Sequence, residues 1–288
     1  MIYKKIISKL NFSGKDVFFL FLIAVCGLFS VWSYFYLDQH VFTLLSKTPV
    51  NWSGNFLGQM IVCLGKVWLP IWLLLVWFIT TKKQQPVLVA FHALIMLLLI
   101  VTSLKYSVHR PRPRDVINAA QTAEKQNKLS TPSFPSGDTA SIFAVATVVA
   151  FFVSWRWTIL FLTASAAVGL LRVVDMAHYP SDVFAAGMIG VFAGWLAMQL
   201  DRRWQRLKFP QFNLTRSIAI PAAIIIPLVI GLSDGLDKLL FFLETYAPLT
   251  LLVFLAFKII NRRSEPKRHR RVARFTYFCR ASSLSEPK

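Results

Sequence analysis

The sequence predicts an all-α protein, a polytopic membrane bundle of about eight transmembrane helices. The first observation is composition: 56% of the 288 residues are hydrophobic and the mean hydropathy is +0.55, values that soluble domains do not reach. The second is the recurrence of long apolar runs, because roughly 20 apolar residues span the hydrocarbon core of a bilayer as a helix. The third is the placement of Lys and Arg in short segments between these runs, which is typical of membrane proteins.

The first predicted helix follows a basic N-terminal segment, residues 1–16. The apolar run 17–37 is too long for the core of a signal peptide and is followed by no small-x-small cleavage pattern, so we expect a signal-anchor helix. Residues 38–55 are polar and predict a loop. The runs 56–80 and 87–104, which a short basic turn separates, predict two more helices.

Three further runs complete a predicted core of six helices. The runs 139–154 and 158–171 are separated by residues 155–157, which we predict to form a tight turn with aromatic side chains at the membrane interface. The run 182–200 carries small residues at a spacing that favours close packing against a neighbouring helix. These small residues are Gly187, Gly190 and Gly194.

The C-terminal third predicts two more helices, 217–232 and 239–260, and a tail rich in Lys and Arg. A basic tail beside membrane helices favours contact with the lipid surface or with water over binding of nucleic acid. The chain is therefore predicted to consist of a basic cytoplasmic N-terminus (1–16), a membrane core (17–200), a basic loop with two further helices (201–260) and a basic cytoplasmic tail (261–288).

Polar and charged residues gather in three segments, 105–113, 134–139 and 171–182. Each segment lies where an apolar run ends or begins. The first two segments contain one run end each and the third contains two, which gives four ends of runs. If each run crosses the bilayer once, all four ends lie on the same side of the membrane. The alternating topology therefore predicts that the three segments form one site.

The residue types in these segments suit a phosphate group. Lys105, Arg112 and Arg172 are cations that are costly to bury singly but favourable around a phosphate, which Arg binds through two parallel hydrogen bonds. Ser136 and Gly137 stand at the predicted start of a helix, where backbone N–H groups and the helix dipole attract an anion. We therefore expect these five residues to bind phosphate.

His178 is the natural nucleophile or base of such a site. Asp182 follows it by four residues, and Pro180 suits the first turn of a helix, so the Asp182 carboxylate is predicted to reach back to the imidazole. This contact would fix the tautomer of His178, leave one ring nitrogen free to attack and stabilise the cation that forms.

Other charged residues near these segments have less specific predicted roles. Asp175 is expected to pair with Arg172 across one helical turn. Three nearby acids also suggest a cation site, but the surrounding cations oppose it and the three Cys are scattered, so we expect no metal and no other cofactor. Three further basic residues either widen the positive patch or face water: His109, Arg110 and Arg114.

The three segments resemble the signatures of the type 2 phosphatidic acid phosphatase superfamily, a family of membrane lipid phosphatases. Lys105 and Arg112-Pro113 fit Lys-x6-Arg-Pro, residues 135–137 fit most of Pro-Ser-Gly-His, and Arg172, His178 and Asp182 fit Arg-x5-His-x3-Asp. The resemblance implies that His178 accepts the phosphoryl group, that water then hydrolyses the phosphohistidine, and that the reaction requires no metal.

Two residues depart from the family pattern. Asp138 stands where the family has a His that is thought to protonate the leaving group, and Leu171 stands where a Ser is usual. A carboxyl beside a bound phosphate is pushed toward its neutral form, so Asp138 is expected to act as the general acid over a narrower pH range. Alternatively the leaving group needs little help, as when a lipid diphosphate releases a phosphate monoester, or Asp138 marks a binding or transferase variant.

The distribution of charge predicts the orientation in the membrane. If the N-terminus is cytoplasmic and the runs alternate, most of the 32 Lys and Arg fall in cytoplasmic segments and the three polar segments lie on the opposite face. We therefore expect an integral membrane protein with both termini in the cytoplasm and the site on the opposite face. The compactness of the chain favours a bacterial inner membrane with the site on the periplasmic face, and a eukaryotic lumenal site would satisfy the same rule. The expected partners are the membrane and a lipid phosphate, not nucleic acid; the oligomeric state stays open.

These residues and the resemblance predict a metal-independent lipid phosphatase that hydrolyses a phosphomonoester or a diphosphate of a membrane lipid. Candidate substrates are undecaprenyl pyrophosphate, phosphatidylglycerophosphate, phosphatidic acid and a lipid A phosphate. Two alternatives stay open: a phosphotransferase that passes the phosphoryl group from His178 to an acceptor such as lipid A, and a binding or transport protein for lipid phosphates.

Overall fold

The computed structural model describes residues 12–47, 74, 85–121 and 132–206, and every regular element in these ranges is an α-helix. In chain order the helices are α1 (Gly14–Tyr36), α2 (Asp38–Lys47), α3 (Gln85–Val108), α4 (Pro113–Gln121), α5 (Gly137–Ala150), α6 (Trp155–Val174) and α7 (Pro180–Arg206). The all-α prediction is confirmed. Apart from residue 74, the predicted helices 56–80, 217–232 and 239–260 lie outside the described residues, as do the segment 122–131 and the basic tail, so the predicted division of the chain stays a prediction.

Four helical segments of the described chain are long and apolar enough to cross a membrane. They are Gly14–Tyr36, Gln85–Ile117, Trp155–Val174 and Pro180–Gln205, of which Gln85–Ile117 contains α3 and continues past its end into α4. Large apolar side chains on these segments face outward: Phe21 is 66% exposed, Leu28 73% and Leu170 64%. Such surfaces suit contact with lipid rather than with water. The protein is an integral membrane protein, as the sequence predicted.

The short helix α5 lies at the centre of the described bundle. Eleven of its 14 residues are buried, and the helix packs against α3, α6 and α7. Helix α7 packs in turn against α1. The polar segment at the first turn of α5, residues 134–139, therefore lies among the ends of the neighbouring helices.

Glycines on α7 allow that helix to approach α5 closely, as the sequence predicted. A Cβ atom added at Gly194 would lie 2.6 Å from the carbonyl oxygen of Ala144, and one added at Gly190 would lie even closer to the carbonyl oxygen of Ala140. Real Cβ atoms do not make contacts this short. The backbones of the two helices therefore meet at a distance that only glycine permits.

Two polar clusters mark opposite ends of the helices. At one end, the buried Asp16 accepts hydrogen bonds from Gln199 (2.5 Å) and Arg202 (2.9 Å), and Lys15 donates to the carbonyl oxygens of Ala150 and Val153. This arrangement joins the start of α1 to the ends of α5 and α7. The three polar segments lie together at the other end, where Arg110 contacts Asp182 and the amide of Ser136 donates to the carbonyl oxygen of Asp182. The expected meeting of the four run ends is thus seen in the described residues.

Two local predictions were wrong. Helix α2 occupies residues 38–47, which we predicted to be a loop. Helix α6 begins at Trp155, so the turn lies at residues 151–154 and not at 155–157. Ser154 is the N-cap of α6, a position that Ser favours, whereas Trp and Arg are compatible with the first helical turn.

Candidate active site

The start of α5 forms the floor of the candidate site. Ser136 is the N-cap of this helix and Gly137 its first residue. We expected both backbone amides to face an anion, but the amide of Ser136 donates to the carbonyl oxygen of Asp182 at 3.3 Å, and its hydroxyl is 2.9 Å from that of Thr139. Ser136 therefore fastens α5 to α7. The amide of Gly137 belongs to the helical end, where N–H groups have no acceptor within the helix.

A tight turn after α6 places His178. Met176 has a positive φ of 53°, and the amides of Met176 and Ala177 donate to the carbonyl oxygens of Val173 (2.9 Å) and Arg172 (3.1 Å). This pair of bonds is a Schellman motif with Met at the left-handed position that glycine usually occupies. The amide of His178 also donates to the carbonyl oxygen of Arg172, at 3.2 Å. The motif thus ends the helix at Val174, two residues after Arg172, and turns His178 back toward Arg172.

One ring nitrogen of His178 is held and the other is left for chemistry. The side chain is 3% exposed, and Nδ1 lies 2.7 Å from the carbonyl oxygen of Ser133. A carbonyl can only accept, so Nδ1 carries the proton. In the neutral ring, Nε2 then has the lone pair that a nucleophile needs.

Asp182 orients His178 through Ser133 rather than directly. We expected the carboxylate to reach the imidazole, but Asp182 Oδ2 lies 3.9 Å from Nδ1, which is too far for a hydrogen bond. The same oxygen accepts from the Ser133 hydroxyl and from the amide of Tyr179 (2.9 Å). Ser133 therefore donates to Asp182 and presents its carbonyl to His178. This role of Ser133 could not be predicted, since a Ser before Phe-Pro-Ser-Gly carries no signal of it.

The three predicted phosphate-binding cations lie at the same end of the bundle. Arg172, on the last turn of α6, has a side chain only 12% exposed; it pairs with Asp138 at 2.8 Å and lies 3.9 Å from Asp175. Its buried Nε has no hydrogen-bond partner among the described residues. Lys105, near the end of α3, donates to the carbonyl oxygen of Pro132 at 3.2 Å. Arg112 is half-buried in the turn before α4.

The electrostatics of the site keep His178 neutral. Burial lowers the pKa of His178 well below its ordinary value, and the positive charges of Arg172 and Arg112 lower it further. The hydrogen bond to Ser133 acts in the opposite direction, and Lys105 adds to the lowering. The same three cations that suit a phosphate therefore favour the nucleophilic form of the imidazole.

The other basic residues of the first segment have different surroundings. Arg114 is 47% exposed, and His109 is exposed with a φ of 47° where α3 ends. Arg110 neither widens the phosphate patch nor faces water: it forms ion pairs of 2.7 Å with both Asp38 and Asp182. Within the described residues, no group of three or more His, Cys, Asp or Glu is arranged to hold a metal ion.

Comparison with known proteins gives one family match and several similar proteins. Residues 86–206 match the family described as the PAP2 superfamily. The chain is 31% identical over 137 residues to an undecaprenyl-diphosphatase of Sulfolobus acidocaldarius, a match that covers 47% of this chain and 64% of that relative.

Two solved structures are also similar. One is LpxE of Aquifex aeolicus, with 26% identity, a TM-score of 0.45, and coverage of 57% of this chain and 95% of that one. The other is a transmembrane PAP2-type phosphatidylglycerolphosphate phosphatase of Bacillus subtilis, with 22% identity, a TM-score of 0.47, and coverage of 69% and 97%.

Proposed function

Because residues 86–206 belong to the PAP2 superfamily, we propose that this membrane protein is a lipid phosphatase that works through a phosphohistidine. The observation that carries the proposal is the state of His178: Nδ1 is bound to a carbonyl oxygen, the ring is kept neutral, and three cations surround it. Three neighbouring cations in a partly buried site repel one another, so a cluster of this kind has little structural value by itself. It becomes favourable when a phosphate is bound.

Binding of the phosphate is assigned to Lys105, Arg112, Arg172 and the start of α5. Arg172 contributes its buried Nε and the terminal nitrogen that now contacts Asp138. Gly137 contributes its amide and the positive end of the α5 dipole. Charge then accumulates on the phosphoryl oxygens as the transition state forms, and donors that are already in place stabilise it.

In the first step, Nε2 of His178 attacks phosphorus, so that an N–P bond forms and the bond from phosphorus to the leaving oxygen breaks. Asp138 supplies the proton that the leaving oxygen needs. Without substrate its carboxylate is paired with Arg172 at 2.8 Å. Once a phosphoryl group takes over Arg172, the carboxyl lies beside a second negative charge, and this favours the protonated acid.

In the second step, water attacks the phosphorus of phosphohistidine and the N–P bond breaks. Asp138, now a carboxylate, accepts the proton from this water, since the group that donates in one direction accepts in the other. Inorganic phosphate leaves, and His178 returns to its neutral form with Nδ1 on the Ser133 carbonyl. Side chains of this chain supply every charge in this sequence, so the proposed reaction requires no metal.

The proposed substrate is a lipid that carries a phosphomonoester or a diphosphate. The name of the Sulfolobus relative favours undecaprenyl diphosphate within this class. The proposed location is a bacterial inner membrane, with the site on the periplasmic face, because the segments at the opposite end and the termini are rich in Lys and Arg.

The test is release of orthophosphate by the purified protein in detergent with a chelator present. Substrates are undecaprenyl diphosphate, phosphatidylglycerophosphate, phosphatidic acid and a lipid A phosphate. We expect release from at least one lipid by the wild type and by His92→Ala, a control histidine exposed on α3. His178→Ala removes the nucleophile and should lower the rate by at least about a thousandfold.

Two outcomes would change the conclusion. Full activity in His178→Ala would contradict the phosphohistidine mechanism. Phosphorylation of an added acceptor lipid without release of orthophosphate would identify a transferase instead.

A further inference from the structure

Arg110 occupies a partly buried position between two carboxylates. Its Nη1 donates to Asp182 Oδ1 at 2.7 Å and to the Ser181 hydroxyl at 2.8 Å, and its Nη2 donates to Asp38 Oδ2 at 2.7 Å. Its guanidinium lies 3.8 Å from the ring centroid of Tyr179 and 5.3 Å from that of Tyr34. Both terminal nitrogens of the guanidinium are thus hydrogen-bonded, and the two aromatic rings make cation–π contacts with it.

Asp38 is the second fixed point of this cluster. It is the first residue of α2, and its side chain is 5% exposed. Besides Arg110, its carboxylate accepts from the amide of Ser181 at 2.9 Å, from the Ser181 hydroxyl at 2.5 Å and from Ser33 at 3.2 Å. Asp38 therefore fixes Arg110 and the first turn of α7 at the same time.

The cluster continues without a gap to the imidazole. Arg110 donates to one oxygen of Asp182, the other oxygen accepts from the Ser133 hydroxyl, and the Ser133 carbonyl accepts a hydrogen bond from Nδ1 of His178. Two buried carboxylates share one guanidinium, so one negative charge is left over. That charge lies near the ring that becomes positive when Nε2 attacks.

We propose that Arg110 and Asp38 are positioning residues for His178, acting through Asp182 and Ser133. The inference rests on the proposed function. Neither residue belongs to the three signatures, and Asp38 lies outside the matched region 86–206. The helix pair α1–α2 therefore completes the catalytic framework. Arg110 binds no phosphate in this assignment, because both of its terminal nitrogens are engaged by carboxylates.

The experiment compares Arg110→Ala, Arg110→Lys and Asp38→Asn with the wild type, and uses the exposed Arg114→Ala as the matched control. We measure kcat, KM, inhibition by inorganic phosphate, and recovery of Arg110→Ala by guanidinium ion at concentrations far below those that unfold proteins. Misplacing the nucleophile should lower kcat in Arg110→Ala by about 10- to 100-fold. KM and phosphate inhibition should change less than about threefold, because the phosphate-binding groups are intact.

Recovery distinguishes positioning from loss of the fold. Guanidinium ion should restore part of kcat in Arg110→Ala, and Arg110→Lys and Asp38→Asn should lose less than Arg110→Ala does. Unchanged kcat in Arg110→Ala and Asp38→Asn overturns the inference. A loss that appears in KM and in phosphate inhibition overturns it as well, and would make Arg110 a phosphate ligand. If the wild type releases no phosphate from any lipid, the proposed function itself fails, and the inference with it.

Discussion

At the scale of single residues, Asp138 is where this chain differs most from the family pattern. Its pairing with Arg172 at 2.8 Å means that the candidate acid and a phosphate-binding cation contact each other before substrate arrives. In the proposed mechanism, a bound phosphoryl group replaces that carboxylate on Arg172, and the Asp138 carboxyl then donates a proton to the leaving oxygen.

Asp138→Asn tests this role by comparing two kinds of leaving group. An amide cannot donate an acidic proton, so we expect hydrolysis of a phosphomonoester such as phosphatidic acid to fall by about 100-fold or more. Hydrolysis of a lipid diphosphate should fall much less, because a phosphate monoester leaves without help. Rates are measured as orthophosphate release at saturating substrate. An equal loss on both substrates would contradict the assignment of Asp138 as the acid.

The lowered pKa of His178 predicts the acid limb of the pH profile. Protonation of His178 abolishes attack, and burial and the neighbouring cations disfavour the protonated ring. The loss of kcat/KM with falling pH should therefore set in below the ordinary value for His, about 6.5. Lys105→Gln removes one of those cations, so its limb should lie at higher pH than that of the wild type. If the acid limbs of the two pH profiles coincide, a group other than His178 causes the loss of activity.

At the scale of elements, the helices could be predicted because length and apolarity decide them locally. The runs near 17–37, 87–104 and 182–200 all appear as helices that extend a few residues further. The contacts that complete the site could not be predicted. Asp38 lies 143 positions from Ser181 and Ser133 lies 49 from Asp182, and both residues have the local pattern of a solvated loop. Their roles exist only once distant helix ends have met.

The contact between α5 and α7 makes a prediction about stability. Gly190→Ala places a Cβ against the backbone of α5, so the helices must separate, and we expect destabilisation by about 1–3 kcal/mol. The measurement is the thermal unfolding midpoint in detergent. Gly14→Ala is the matched control, because a Cβ at Gly14 meets nothing within 4 Å. Equal midpoints for the two variants would contradict the close approach of the helices.

At the scale of the whole molecule, we predict that the two polar ends of the described bundle face opposite sides of the membrane, with the candidate site on the periplasmic side. His109 is exposed at the end that holds the site, and Arg203 is exposed near the opposite end of α7. We expect His109→Cys, in a chain whose own Cys residues are replaced, to react with a membrane-impermeant maleimide in intact spheroplasts. Arg203→Cys should react only after the membrane is permeabilised. The reverse pattern would place the site in the cytoplasm.

The shortness of α5 determines how deep the chemistry takes place. Fourteen residues rise about 21 Å, whereas the hydrocarbon core is about 30 Å thick, and any tilt increases the difference. Lys15, Asp16 and Arg202 anchor the far end of this helix among charged groups. Its first turn therefore stops short of the opposite headgroup layer. Under the proposed function, a lipid phosphate would therefore meet His178 below the level of the neighbouring headgroups, with its tail still among the acyl chains and without leaving the bilayer.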